Sequence, residues 1–205
     1  MSEEQGFGTS VLHVPPFRQG PRSDKVFYVF YDFETTQDTK CGDILYEHVP
    51  NLVCVQQFCA VCEDDSDMDV DCRRCGKRKH SFWTDPLGDL ISYTFKSRPW
   101  ADRNVIIAHN AKAFDLLFVL NRLVRMKSLP ELRIMNGQKI MCLKVENVTW
   151  LESLNYVAMP LRKLSEAFGL KAQKSWYPHL FNTTANINYV GPAPDVSYYG
   201  IDQMH

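Results

Sequence analysis

KVFYVFYDFET, residues 25–35, is the stretch whose reading decides the fold. Residues 25–33 are almost entirely aromatic or β-branched, and a continuous apolar run of this length reads as a β-strand buried on both faces. The run ends on two carboxylates, Asp32 and Glu34, which on a strand leave the same face. Carboxylates set together behind an apolar run are costly without a cation beside them. A divalent ion that takes oxygen ligands, magnesium or manganese, would satisfy both. Taken alone, the D-x-E pair fits a strand that simply emerges into solvent at least as well.

Working outward, NLVCVQQF (residues 51–58) is a second strand, running directly into a cysteine cluster. Leu87, Leu90, Ile91 and Phe95 recur at helical spacing and predict a helix over residues 85–95. Residues 104–108 form a short buried strand, followed by a helix in which Phe114, Leu117, Phe118 and Val124 share the apolar stripe. Asn110 stands where an N-cap belongs. Asn136-Gly137 between two apolar runs predicts a hairpin. A strand over NVTWLES then leads to a helix opened by Pro160 and closed by Gly169. From Lys171 onward the chain is rich in Tyr, Asn, Pro and Gly and reads as ordered loop, and residues 1–24 read as a flexible leader. Strands alternating with helices make this an α/β layered domain, a mixed sheet flanked by helices.

Composition narrows the function classes. With 45% apolar and 23% charged residues over 205 positions, the chain is neither disordered nor a fibrous repeat nor a disulfide miniprotein. No run approaches the ~18 consecutive apolar residues of a membrane span, and the acidic start MSEEQ lacks the features of an export signal. Net charge is −1, but six acidic residues crowd into residues 63–71 (EDDSDMDVD). Outside that loop, 23 basic side chains stand against 18 acidic ones, a balance compatible with a polyanionic substrate. Seven cysteines, an odd number without an export signal, point to an intracellular, reducing compartment, nucleus or cytoplasm.

Four of those cysteines form Cys59-x-x-Cys62 and Cys72-x-x-Cys75, two knuckles whose thiolates suit a tetrahedral zinc. A closed four-thiolate site is structural, folding a small insert, residues 54–84, that has no core of its own. The alternative is four free thiols in a loop. His80 is a weaker ligand candidate, and Cys54 and Cys142 read as strand core.

The second carboxylate position sharpens the first. HNAKAFD, residues 109–115, places Asp115 in the first turn of a helix that follows a buried strand, at the sheet edge where strand-to-helix loops build sites. An acidic residue there also fits ordinary helix electrostatics. Asp32, Glu34 and Asp115 on one edge match the layout of a two-metal phosphodiester-cleaving site.

YDFET resembles the first motif, and HNAKAFD the second, of the DEDD superfamily, the 3′–5′ proofreading exonucleases of family B DNA polymerases. Ser153-Leu154-Asn155-Tyr156-Val157 is similar to the serine–leucine motif of the protein-primed branch. The order of motifs over residues 25–205, including YPHLFNT, NYVGPAPD and YYGIDQM, most resembles polymerases of Polinton/Maverick elements and related viruses. The resemblance implies an RNase H-like fold. It implies that Asp32, Glu34 and Asp115 hold Mg²⁺ or Mn²⁺, and that Thr35, Asn110, Phe114, Ser153 and Leu154 grip the 3′ end of single-stranded DNA. Lys171, Lys174 and Tyr177 would touch phosphate and sugar, or belong to a solvated loop. Terminal protein or other replication proteins are the implied partners.

The third motif, Y-x-x-x-D, is the departure. Tyr198 to Asp202 has its spacing and makes Asp202 a candidate fourth catalytic carboxylate, but Gly200 argues against a helix there. In the Polinton type a similar YYG-x-D loop precedes the third motif, so the expectation is a domain cut short before it. The chain then reads as a fragment or derivative of a protein-primed family B DNA polymerase. The alternatives are a non-catalytic DNA- or protein-binding module, and a zinc-bearing adaptor.

Overall fold

The computed structural model describes residues 25–64, 67–112, 114–171 and 176–200. The leader, Lys174 and Asp202 lie outside the described residues. The elements in chain order are β1 (Val26–Lys40), β2 (Tyr46–Cys59), β3 (Lys79–Phe82), α1 (Pro86–Phe95), β4 (Arg103–Ala108) and α2 (Asp115–Arg125), then β5 (Leu132–Asn136), β6 (Lys139–Val145), β7 (Val148–Glu152) and α3 (Leu161–Phe168). The strands form one seven-stranded sheet in the order β3-β2-β1-β4-β7-β6-β5. Its centre, β1, β4 and β7, is parallel, while the outer strands pair antiparallel. The expected mixed α/β architecture is therefore present.

One face carries the core. Phe27, Val29, Tyr31 and Phe33 of β1 meet Leu90 and Ile91 of α1 and Leu116, Val119 and Leu123 of α2, with Trp150 of β7 fully buried. Area removed from water supplies the main driving force for this layer. The expectation that β1 is covered on both faces is corrected: Tyr28, Phe30 and Asp32 point the other way, and Phe30 is 46% exposed. That open face forms a shallow apolar groove, with Phe30 and Ile107 on its floor and Leu161 and Leu164 of α3 along one wall. Cys54 lies there too, exposed rather than in the core, whereas Cys142 is buried as expected.

Local chemistry sets the helix ends. Asp85 caps α1 by accepting the Gly88 N–H, Pro86 follows it, and Arg122 of α2 reaches back to the Asp85 carboxylate at 3.0 Å. The second helix begins at Asp115, later than its sequence implies: Asn110 is not its cap but sits at φ 64°, a conformation asparagine tolerates. Its buried stripe is Leu116, Val119 and Leu123, so Phe114, Leu117 and Val124 are left half-exposed and only Phe118 of the predicted four packs against the core. Gly137 (φ 59°) turns the β5–β6 hairpin and Gly169 (φ 63°) ends α3, as expected. Among the described residues no helix is long and apolar enough to cross a membrane.

Candidate functional site

The site arises because β1 is longer than its parallel neighbour. Pairing with β4 ends at Phe30–Ile107, and beyond it the strand continues alongside β2, with Asp32 opposite Cys54 and Glu34 opposite Leu52. The register shifts immediately after Glu34. Asp32 is exposed and Glu34 half-buried, so the two are not buried together as the sequence implies; the unpaired edge gives them solvent.

Asp115 closes the cluster from α2. It is 9% exposed, and burial, followed by the Asp32 charge, pushes its carboxyl up to about 7 against the hydrogen bonds it accepts from its own and the Phe33 backbone N–H. The Tyr31 phenol is buried alongside; burial and then the charges of Asp115, Glu152 and Asp32 raise it further above its ordinary range. Because the folded protein holds the Asp115 proton more tightly than the unfolded chain, this carboxyl favours folding fully only below about pH 4. The contribution is lost as pH rises through about 7. Asp115→Asn is therefore expected to melt several degrees above the parent at pH 8 without divalent cations, a gain that vanishes near pH 4. Thermal melts across that range check it.

A fourth carboxylate was not anticipated. Glu152, at the end of β7, is fully buried and accepts backbone N–H bonds from Asn110 (3.0 Å), Lys112 (2.8 Å) and Leu154 (2.8 Å). It ties the loop after β4 to the turn after β7, which brings Asn110, Ser153 and Leu154 to the same edge. Ser153 Oγ lies 2.8 Å from His109 Nδ1. The signal was present, since Glu152 stands directly before the Ser-Leu pair at a strand end. Glu152→Ala removes the charged acceptor of three part-buried N–H groups and is expected to cost about 3 kcal/mol, read as a lower urea midpoint.

The far side is built by the β1–β2 hairpin and the C-terminal loop. Thr35 Oγ1 is 3.2 Å from His48 Nδ1, and the His48 ring tilts over half-exposed Phe114 at 5.1 Å. His179 Nδ1 approaches Glu34 Oε2 at 3.6 Å. Burial and then Glu34 raise the Tyr177 phenol, placing Tyr177 within reach of the carboxylates. Asn182 donates to the Thr35 carbonyl at 3.0 Å. His48, His179 and Asn182 lie in stretches with no period or motif to single them out. Lys171 is exposed beyond α3, with no bond tying it to this edge among the described residues.

Among the described residues, only Cys59, Cys62, Cys72 and Cys75 bring three or more ligand atoms within 4.8 Å of one another; Asp32, Glu34 and Asp115 stand further apart. The sulfurs lie 3.8 Å (59–62 and 59–72) and 3.5 Å (62–75) apart, close to the ~3.8 Å edge of a tetrahedron with ~2.3 Å metal–sulfur bonds. Burial opposes ionisation of Cys72, yet the backbone N–H groups of Cys75 and Arg74 outweigh it and bring that thiol to about 6. The four residues could therefore hold a metal. His80 is not part of the cluster: its ring packs on Tyr93 and Phe82, and Nε2 lies 2.9 Å from the Lys77 carbonyl. The acidic and basic halves of the insert meet where Lys79 pairs with Asp69 at 2.5 Å.

No protein-family description matches the chain. It is 30% identical over 123 residues to a probable DNA polymerase of Agaricus bitorquis, covering 55% of this chain and 15% of that protein. A probable DNA polymerase of Ascobolus immersus is 31% identical over 103 residues, 44% of this chain and 8% of its own length. Phi29 DNA polymerase complexed with single-stranded DNA superposes with TM-score 0.51 at 16% identity, over 75% of this chain and 25% of its own. The same polymerase complexed with primer-template DNA gives 0.50, also at 16% identity. Fold and sequence define an α/β region similar to part of these DNA polymerases. The chain spans 15% or less of these curated relatives and about a quarter of the solved polymerase.

Proposed function

We propose that this chain is the RNase H-like 3′–5′ exonuclease domain of a protein-primed family B DNA polymerase of Polinton/Maverick or related viral type. It takes the 3′ end of single-stranded DNA and hydrolyses its terminal phosphodiester. The observation that carries the reading is the gathering of Asp32, Glu34 and Asp115 with Thr35, Phe114 and Ser153 on one open sheet edge. Resemblance of these residues to the exonuclease motifs, and likeness to DNA polymerases, support it.

The donor set fits divalent cations: three carboxylates on one edge, with the Asp32 charge raising the proton affinity of Asp115, form an anionic site for a hard cation. Mg²⁺ or Mn²⁺ bound there would activate water and stabilise the leaving oxygen. The chain's own residues position the strand. Phe114 offers an exposed ring on which a base stacks, and Thr35, Asn110 and Ser153 bond sugar, base or phosphate. Tyr177, at the Glu34 side, adds a sugar or phosphate contact, and Leu154 packs beside the terminal nucleotide. Asp202 and Lys174 remain candidates on motif spacing alone. Zinc in the four-cysteine site is structural, the reducing compartment follows from the cysteines, and terminal protein is the proposed partner of the Ser153-Leu154 turn.

A second reading, a DNA- or protein-binding module without catalysis, is favoured because, among the described residues, the three carboxylates do not all bring a ligand atom within 4.8 Å of one another. One experiment separates them. Incubating a 5′-labelled single-stranded oligonucleotide with the protein and Mn²⁺ is expected to give a ladder of strands shortened from the 3′ end. A gel shift without cleavage supports the binding module, and neither result ends both.

A further inference from the structure

A second cavity, of about 570 Å³, opens beside the carboxylates between the loop after β3 and the C-terminal loop. Its volume falls in the range of small-molecule sites. Trp83, Tyr177, Phe181 and Tyr189 line it with aromatic surface, Asn186 and Asn188 add amides, and among the described residues none that lines it is charged. Trp83 is 67% exposed and Tyr189 48%, so these rings are held at the mouth rather than spent in a core. Phe181 braces the wall edge-on to Tyr189 at 4.9 Å and to Tyr198 at 5.2 Å.

The cavity is tied to the carboxylate edge. Asn182, in its wall, donates to the Thr35 carbonyl at 3.0 Å and to Asn51 Oδ1 at 3.2 Å, fixing the loop against β1 one residue past Glu34. Tyr177 lies at the seam, lining the cavity beside His179, which reaches Glu34.

We infer that this cavity is a base-binding site for the strand upstream of its 3′ terminus: with the terminal nucleotide at Asp32, Glu34 and Asp115, a base one to three nucleotides 5′-ward enters the cavity and stacks on Trp83. The inference rests on the proposed exonuclease reading and adds to it a site that its motifs do not include. The wall chemistry selects the base over the phosphate. Aromatic faces stack on any base, and amides bond base edges. The described wall offers a phosphate no cation, so the phosphates stay at the solvent-facing rim. Sequence-tolerant stacking of this kind suits an enzyme that must accept any 3′ end.

The test measures anisotropy of 5′-labelled dT₈ with the full chain, without added Mn²⁺. Stacking worth ~1–3 kcal/mol predicts that Trp83→Ala weakens dT₈ roughly 5- to 150-fold, while Trp83→Phe restores most of the affinity. A dT₈ carrying one abasic site, walked through the second to fourth positions from the 3′ end, should show the same loss at one position on the unaltered protein, and Trp83→Ala should add nothing to it. Unchanged dT₈ affinity in Trp83→Ala, or abasic and Trp83 losses that multiply, overturns the base site and leaves the exonuclease reading standing. Failure of the unaltered protein to bind dT₈ overturns both. The abasic series needs no variant and decides the matter even where a substitution disturbs folding.

Discussion

Alanine at both Asp32 and Glu34 is expected to slow Mn²⁺-dependent shortening of a 5′-labelled strand at least about a thousandfold, while the melting temperature stays within a few degrees. The size follows from what a cation at this edge contributes. Lewis-acid stabilisation is worth several kcal/mol of the barrier, and ~4 kcal/mol corresponds to roughly three decades in rate. The small effect on folding follows from geometry. Asp32 is exposed, and Glu34 takes part in a 3.6 Å contact with His179 at the surface, where such pairs are worth little. Removing Asp32 also relieves Asp115 of a like charge. Binding should survive better than cleavage, because Phe114, Thr35 and Ser153 keep their places. Cleavage at the parent rate in the double variant would remove both residues from the mechanism.

The second large effect concerns the cysteines. The protein is expected to carry about one zinc per chain, and Cys72→Ser to lose it, with a fall in melting temperature on the order of 10 °C. Structural zinc contributes directly to folding free energy. Here it would join the end of β2 (Cys59), the turn that follows (Cys62) and the Cys72–Gly76 turn, three pieces otherwise packed on Phe58, Val61 and Trp100. Without it, β3 loses the connection that registers it against β2, from Val53–Phe82 to Gln56–Lys79. A metal-free protein of equal stability would refute the assignment.

Those strands also show what could be read from the sequence and what could not. A turn and a helix end were legible because their chemistry is local: Asn136-Gly137 and Gly169 each dictate a backbone conformation within a few residues. Asp32, Glu34, Asp115 and Ser153 were legible because their motifs are short. The burial of β1 was not, since an apolar run cannot say whether one or two layers of helix will cover it, and both α1 and α2 pack on the same face. Nor was the true start of α2. Asn110 looks like a cap in isolation, but Glu152, more than forty residues away, takes its N–H and holds it in a loop. His48, His179 and Asn182 reach the site only through tertiary placement, which no spacing records.

The parallel centre of the sheet has a kinetic consequence. Val26 pairs beside Arg103, and Asn104 beside Val148, so each central contact closes a long loop before it brings any reward. The hairpins β1–β2 and β5–β6–β7 need no such closure and should assemble first, as two flanks awaiting β4. Asp32 and Glu34 stand on one flank, Glu152 on the other, and Asp115 on the helix that follows β4. An unfinished chain thus holds only part of the constellation, which becomes whole only with the last strand to dock.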